Sequence, residues 1–220
     1  MTLAAVLWDM DGLLVDTEPV WTVAEEELAT QLGGLWSDEL KARIAGTRLD
    51  VAVPLILGHY GHEPTATAIA EASAWLMDRM VDLYATSVKV LPGALDLLAA
   101  VEAAGVPQAL VSSSYRALVD SVLTHGFEPF VLTLAGDEVV HGKPHPEPYL
   151  TASSRLGTDP RDCVVLEDSS AGVQAAEAAG CAVVAVPTVE GVSFAPGPRR
   201  AVRTSLTGLT VDDLERLAAR

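Results

Sequence analysis

The sequence predicts an α/β fold: a parallel sheet with helices on both faces, interrupted after its first strand by an inserted block of helices. Three observations carry this. Ala4 to Trp8 is apolar without alternation and without a turn residue, as a strand buried on both faces is. From residue 87 onward short apolar runs alternate with helical stretches, the pattern of parallel strands joined by crossover helices. Between them, residues 17 to 86 carry helical periodicity and no clear strand, roughly the size of a four-helix insert.

The elements follow in order. The first strand ends at Asp9-Met10-Asp11-Gly12, two carboxylates spaced i and i+2 before a glycine that lets the backbone turn. A plain Asx turn is one reading of that stretch, and a ligand site at the C-terminal edge of a sheet is the other. Leu13-Leu14-Val15 reads as an apolar hinge. Asp16 or Thr17 can cap a helix begun by Pro19, with Val20, Val23, Ala24, Leu28 and Leu32 on its buried face, Glu25, Glu26 and Glu27 toward solvent, and Gly33-Gly34 as its stop. A second helix starts at Ser37-Asp38-Glu39-Leu40, a break falls at Ile44 to Arg48, a third helix runs from Val51 to Tyr60, and a long fourth from about Thr65 to Ala85. Then come a helix from Ala94 to Ala104, a strand from Gln108 to Val111, a helix from Tyr115 to His125 and a strand from Phe130 to Leu134. A loop from Gly136 to Glu147 leads to a helix from Pro148 to Leu156, a strand from Cys163 to Leu166 and a helix from Ala171 to Ala179 that Ser169 or Ser170 can cap. The strand Cys181 to Val186, a loose loop from Val189 to Arg200, a short strand within Arg199 to Ser205 and a helix from Val211 to Ala219 complete the chain. The expected domains are residues 1–16 and 87–220 as a core in two parts, with 17–86 as a helical domain between them.

The 220 residues suffice for one domain with an insertion or for two small ones, and half of them are hydrophobic. The formal net charge of −16 repels nucleic acid and anionic membranes, so neither is expected as a partner. An anionic phosphate would need a metal or a well-placed Lys or Arg. Cys163 and Cys181, the two cysteines, each open an apolar run and read as reduced core residues. No basic region precedes a long apolar core, and no apolar run approaches a membrane span, so a cytoplasmic protein is expected, as a monomer or weak dimer.

Four predicted strand ends or adjoining loops carry polar residues that an apolar strand does not need: Asp9 and Asp11, Ser112, Lys143, and Glu167 with Asp168. In a parallel sheet these share one edge. Carboxylates for a hard cation, a hydroxyl and an ammonium suit phosphoryl transfer: one carboxylate attacks, another moves protons, and Mg²⁺ with Lys and Ser offsets charge. Gly142-Lys143 is no P-loop, since the upstream glycine spacing is wrong and no Ser or Thr follows. Ser112 lacks the elbow of a serine hydrolase. His141 and His145 stand i, i+4, but Gly142 and Pro144 exclude a regular helix between them, which counts against zinc. His59, His62 and His125 read as surface or cap-end residues, and Trp21, Trp36 and Trp75 as core, with Trp21 able to reach the cleft.

These segments resemble the haloacid dehalogenase superfamily, in its capped phosphatase and phosphomutase branch. Asp9-Met10-Asp11-Gly12-Leu13-Leu14-Val15-Asp16-Thr17-Glu18 is similar to that family's first motif, Val111-Ser112 to its second, Gly142-Lys143-Pro144-His145-Pro146-Glu147-Pro148-Tyr149 to its third and Leu166-Glu167-Asp168-Ser169-Ser170-Ala171-Gly172 to its fourth, all in family order. The resemblance implies a Rossmann-like core with a four-helix cap domain. It implies Asp9 as a nucleophile that becomes an aspartyl-phosphate, and Asp11 as general acid and base. It further implies Mg²⁺ held by Asp9, Asp168, the Asp11 carbonyl and, directly or through water, Glu167. Ser112 and Lys143 would bind the phosphate, and Ser113, Ser114 and the cap residue Arg48 would hold the substrate. Asp11 argues for phosphate over halide chemistry, because displacing halide needs no acid. The mutase pattern carries a His where Trp21 stands, and a cap arginine one place later than Arg48. Glu18-Pro19-Val20-Trp21 with Gly46-Thr47-Arg48-Leu49-Asp50 is more similar to bacterial sugar-phosphate phosphatases. The expectation is Mg²⁺-dependent hydrolysis of small phosphate monoesters; a β-phosphoglucomutase-like mutase and a non-catalytic phosphate-binding regulator are the alternatives.

Overall fold

In chain order the elements are β1 (Ala5–Trp8) and β2 (Val15–Asp16), then four helices, α1 (Glu18–Gln31), α2 (Asp38–Ile44), α3 (Leu49–His59) and α4 (Ala66–Ser87). β3 (Lys89–Val90), α5 (Ala94–Ala103), β4 (Gln108–Val111), α6 (Arg116–Leu123) and β5 (Leu132–Leu134) follow. A 3-10 turn at Gly136–Glu138 leads to α7 (Glu147–Leu156), β6 (Cys163–Glu167), α8 (Ser170–Ala178), β7 (Ala182–Ala185), β8 (Arg200–Val202) and α9 (Val211–Ala218). This computed structural model describes residues 3–44, 47–127, 129–188 and 192–220. The expected break at Ala45 and Gly46, and residues 189–191 of the expected loose loop, lie outside the described residues.

The six-stranded sheet has the order β5-β4-β1-β6-β7-β8, with every ladder parallel. Strands β1 and β7 are wholly apolar and buried because both faces are covered, β4 and β6 are apolar but for Gln108 and Glu167, and the edge strands β5 and β8 are mostly half-buried. On one face Val6 and Trp8 of β1 pack with Leu97, Val101, Val119 and Leu214 from α5, α6 and α9; on the other, Ala5 and Leu7 pack with Tyr149 and Ala152 of α7 and Ala176 of α8. Because the side-chain period is two, the same strand feeds both layers. The chain leaves β1 for β4 and β5 on one side, then returns for β6, β7 and β8 on the other. The C-terminal end of β1 is therefore the point where strand order reverses, the place where open α/β sheets bind ligands.

The four helices α1 to α4 fall between β2 and β3, an antiparallel pair in which Val15 faces Val90 and Asp16 faces Lys89. This pair is not legible in the sequence: two residues per strand are too few for any periodicity. The longest helix, α4, buries Ala72, Leu76, Met80 and Tyr84, a stripe at i, i+4 spacing, and packs against α1, α3 and α6.

On α1 the expected faces need correction. Val23 is 40% exposed, whereas Glu25, expected in solvent, is buried. Position 25 lies one residue after Ala24 and three before Leu28, so it falls on the flank of the inward stripe. Glu27 is also engaged, taking two bonds from Arg79 of α4, Nε at 2.7 Å and Nη2 at 2.8 Å. Thr17 occupies the N-cap of α1 but makes no capping bond there. Ser169, in contrast, caps α8 as expected, accepting from the Gly172 N–H at 3.0 Å. Cys163 and Cys181 are free and buried. Among the described residues no helix is long and apolar enough to cross a membrane.

Candidate active site

The strand ends deliver the expected side chains to one place. Asp9 follows β1 and is anchored to β6 by its N–H on Leu166 O at 3.0 Å. Ser112 follows β4, Glu167 ends β6 and Asp168 comes next, while Lys143 reaches in from the loop before α7. Gly12 makes the approach possible. It sits at φ +82, and a Cβ there would lie 2.2 Å from Asp168 Oδ2.

Lys143 is the centre of charge. Its Nζ donates to Asp9 Oδ1 at 2.5 Å, Glu167 Oε1 at 2.7 Å and Val111 O at 3.0 Å, and lies 5.1 Å from the centre of the Tyr149 ring. Burial alone would discharge this lysine, but Asp9 and Glu167 outweigh it and hold its pKa well above the ordinary value. One ammonium faces three buried carboxylates. Burial first, then Glu167, Asp168 and Asp11, push the Asp9 carboxyl far up against the pull of Lys143. Burial and then Glu167 push Asp168 up to about 7.

One oxygen from each of Asp9, Glu167 and Asp168 lies within 4.8 Å of the others. Such an all-oxygen, over-charged set fits a hard divalent cation, which would neutralise what Lys143 does not. The three are not equally available. Glu167 accepts from Lys143 and Tyr149 on Oε1 and from the Ser169 N–H and hydroxyl on Oε2. Among the described residues Asp9 accepts only from Lys143, and Asp168 only from the Thr188 hydroxyl at 2.8 Å.

Asp11 has different company. Its Oδ1 accepts from Thr17 Oγ1 at 2.8 Å and Tyr84 Oη at 3.0 Å, and its Oδ2 from Ser114 Oγ at 2.7 Å and Ser112 Oγ at 3.2 Å. Two donors come from the helical insert and two from the turn after β4. Sequence reasoning placed Ser112 at the phosphate and Ser114 at the substrate; here both donate to a carboxylate, and Ser112 also accepts the Ser114 N–H at 2.9 Å. Thr17, Tyr84, Tyr149 and Thr188 were not singled out as site residues. Tyr84 stands 73 positions from Asp11, and only the i, i+4 stripe that buries it could have drawn notice.

Above these groups opens a cavity of about 520 Å³ lined by Asp9, Asp11, Lys143 and Asp168 at one end and by Trp21, Glu25 and Arg48 elsewhere. Ser113 and Ser114 also line it. Arg48 reaches the core: a Cβ on Gly142 would lie 3.0 Å from its Cδ. His141 and His145 flank Lys143 without a helix, as expected, yet their rings come to 4.6 Å and their nitrogens gather with a Glu147 oxygen within 4.8 Å. The lack of a helix thus does not keep them apart.

The model of the haloacid dehalogenase-like hydrolases matches residues 3–180. The chain belongs to that family. Within it, the chain is 33% identical to hexitol phosphatase B of Escherichia coli over 221 residues, covering 96% of each. It is 31% identical to the phosphorylated carbohydrates phosphatase of Thermotoga maritima over 184 residues, covering 81% of this chain and 82% of that one. Among solved structures, CbbY from Rhodobacter sphaeroides with xylulose-(1,5)-bisphosphate matches with a TM-score of 0.86 and 28% identity, covering 98% of this chain and 100% of that one. This haloacid dehalogenase-like hydrolase is an enzyme, a phosphatase.

Proposed function

We propose that the protein hydrolyses monophosphates of sugars or related small polyols, with Asp9 as nucleophile and Asp11 as acid and base. The observation that carries this reading is the contrast between two carboxylates only two residues apart. Asp9 keeps one oxygen on Lys143 and the other open toward the cavity, whereas Asp11 is clasped by four hydroxyls. Different surroundings assign different work. The names of the relatives support the substrate class.

In this mechanism Asp9 attacks phosphorus in line and forms an aspartyl-phosphate. Lys143 offsets the negative charge on phosphate oxygens and nucleophile. Asp11, held in place by its four donors, gives a proton to the departing oxygen and then takes one from the water that opens the acyl phosphate. Asp9, Asp168 and the Asp11 carbonyl would hold Mg²⁺, with Glu167 acting directly or through water. When bound, Mg²⁺ supplies charge neutralisation at the phosphate. Helices α1 to α4 serve as a cap domain that shields the reaction from water and contacts the substrate's other end, Arg48 included.

A panel of phosphomonoesters with and without EDTA tests the reading. Phosphate release that EDTA abolishes and Mg²⁺ restores is expected, with label passing to water and not to a second hydroxyl. Asp9→Asn should melt like the wild type and release no phosphate; retained turnover would show that another group attacks.

A further inference from the structure

One face of α1 leads directly away from the reacting end. Thr17 bonds Asp11, and Trp21 and Glu25 follow at successive i+4 steps on the same side of the helix. Glu25 is therefore about 12 Å farther along the helix axis than Thr17, the reach of an extended chain of several carbons. It is 9% exposed and lines the cavity, yet among the described residues nothing bonds its carboxyl. Lys41, the cation beside it, is committed elsewhere: its Nζ lies 3.2 Å from Glu18 Oε2 and donates to Thr22 Oγ1 at 2.7 Å. Burial, then the charge of Glu18, push Glu25 up to about 7, with Lys41 opposing. On the same cavity Arg48 Nε is buried without a hydrogen-bond partner, although Asp50 Oδ1 lies 3.3 Å away.

We propose that Glu25, with Trp21, reads the hydroxyl-bearing tail of the substrate, and that Glu25 turns the cavity toward polyol monophosphates and against bisphosphates. The assignment rests on the phosphatase reading above and deepens it. A carboxyl that lines a cavity with no protein donor is open to a donor from the ligand. A substrate hydroxyl at that depth can donate to the Glu25 carboxyl. The indole of Trp21, between the two ends, offers an apolar face to the C–H groups of the chain. A second phosphate would meet two lining carboxylates, Glu18 and Glu25, against two lining cations, Lys41 and Arg48, already paired with Glu18 and Asp50. No surplus positive charge is left to receive it.

The test compares kcat/KM for a hexitol 6-phosphate, for methyl phosphate and for a hexose 1,6-bisphosphate, with Mg²⁺ present, in the wild type, Glu25→Gln and Glu25→Leu. Thermal melts verify that each variant is folded. The expected result for Glu25→Leu is a fall of at least tenfold in the preference for hexitol 6-phosphate over methyl phosphate, carried by KM, together with a gain for the bisphosphate relative to the monophosphate. Glu25→Gln should retain part of the hexitol preference. A preference that is the same in all three proteins overturns the assignment, even if every substrate is hydrolysed. If the wild type hydrolyses none of them, the phosphatase reading fails by itself. Calorimetric affinities for the same compounds then decide the assignment of Glu25 by the same ratio.

Discussion

Asp9 and Asp11 carry the same side chain, and the fold divides them by what it places around each. Tyr84 contributes to that division. Burial and then the charge of Asp11 hold its phenol protonated, well above the usual range, so it remains a donor. Tyr84→Phe is expected to lower kcat by about tenfold, the worth of one hydrogen bond to a charged group, with KM little changed and the melting temperature within a few degrees. A change confined to KM would place Tyr84 in substrate binding. Glu25 provides the pH dependence. Its pKa rises from 4.5 to about 7 on folding, so the folded state holds the proton more tightly than the unfolded one. Its contribution to stability is full below about pH 4.5 and is lost as pH rises through about 7. Glu18 and Lys41 face it in both proteins, so Glu25→Gln isolates the effect. The variant should gain stability on the wild type between pH 5 and pH 8, by about 2–3 kcal/mol at most, read from denaturant melts at the two pH values.

At the scale of elements, the site consists of strand ends fixed by helix starts. Glu167 ends β6, and α8 begins close enough that a Cβ on Gly172 would lie 1.5 Å from Glu167 Oε1. That oxygen holds Lys143 and Tyr149. Gly172→Ala must therefore move Glu167 and release the lysine. Its expected cost is about 2–4 kcal/mol of stability and at least a tenfold loss of turnover, read from a melt and an assay; an unchanged melt would mean that α8 yields without disturbing Glu167. This also shows what was legible in the sequence. Asp9, Glu167 and Asp168 stood out because apolar strands stop at them abruptly, and Lys143 because it stands between Gly142 and Pro144 in the loop before α7. Glu25 was misread because a run of three glutamates looks like a solvated face, and one residue of helical phase decides otherwise. The clasp on Asp11 was missed because its donors are ordinary Thr, Tyr and Ser residues that only tertiary packing brings to one carboxylate.

Over the whole molecule, an excess of negative charge, −16 in all, extends into the interior as a buried trio of carboxylates. Asp168→Asn should raise the melting temperature of the metal-free protein at neutral pH, because it removes one member of a repelling set. Mg²⁺ is expected to raise the melting temperature of the wild type and not that of this variant; scanning calorimetry with and without Mg²⁺ reads both. The alternation of strands and helices and the helical block after the first strand were legible as pattern, whereas the β2–β3 pair that joins them was not. The position of that pair has a mechanical consequence. Thr17 lies just past β2, and Tyr84 lies near the end of α4, just before β3. Both of the insert's donors to Asp11 thus sit beside the narrow neck on which the four helices hang. Thr17 and Tyr84 bond Asp11 from the helical side of the neck, and Ser112 and Ser114 bond it from the turn after β4. One carboxylate thus ties the root of the four helices to the sheet, and loss of the Asp11 side chain should loosen that junction as well as the site.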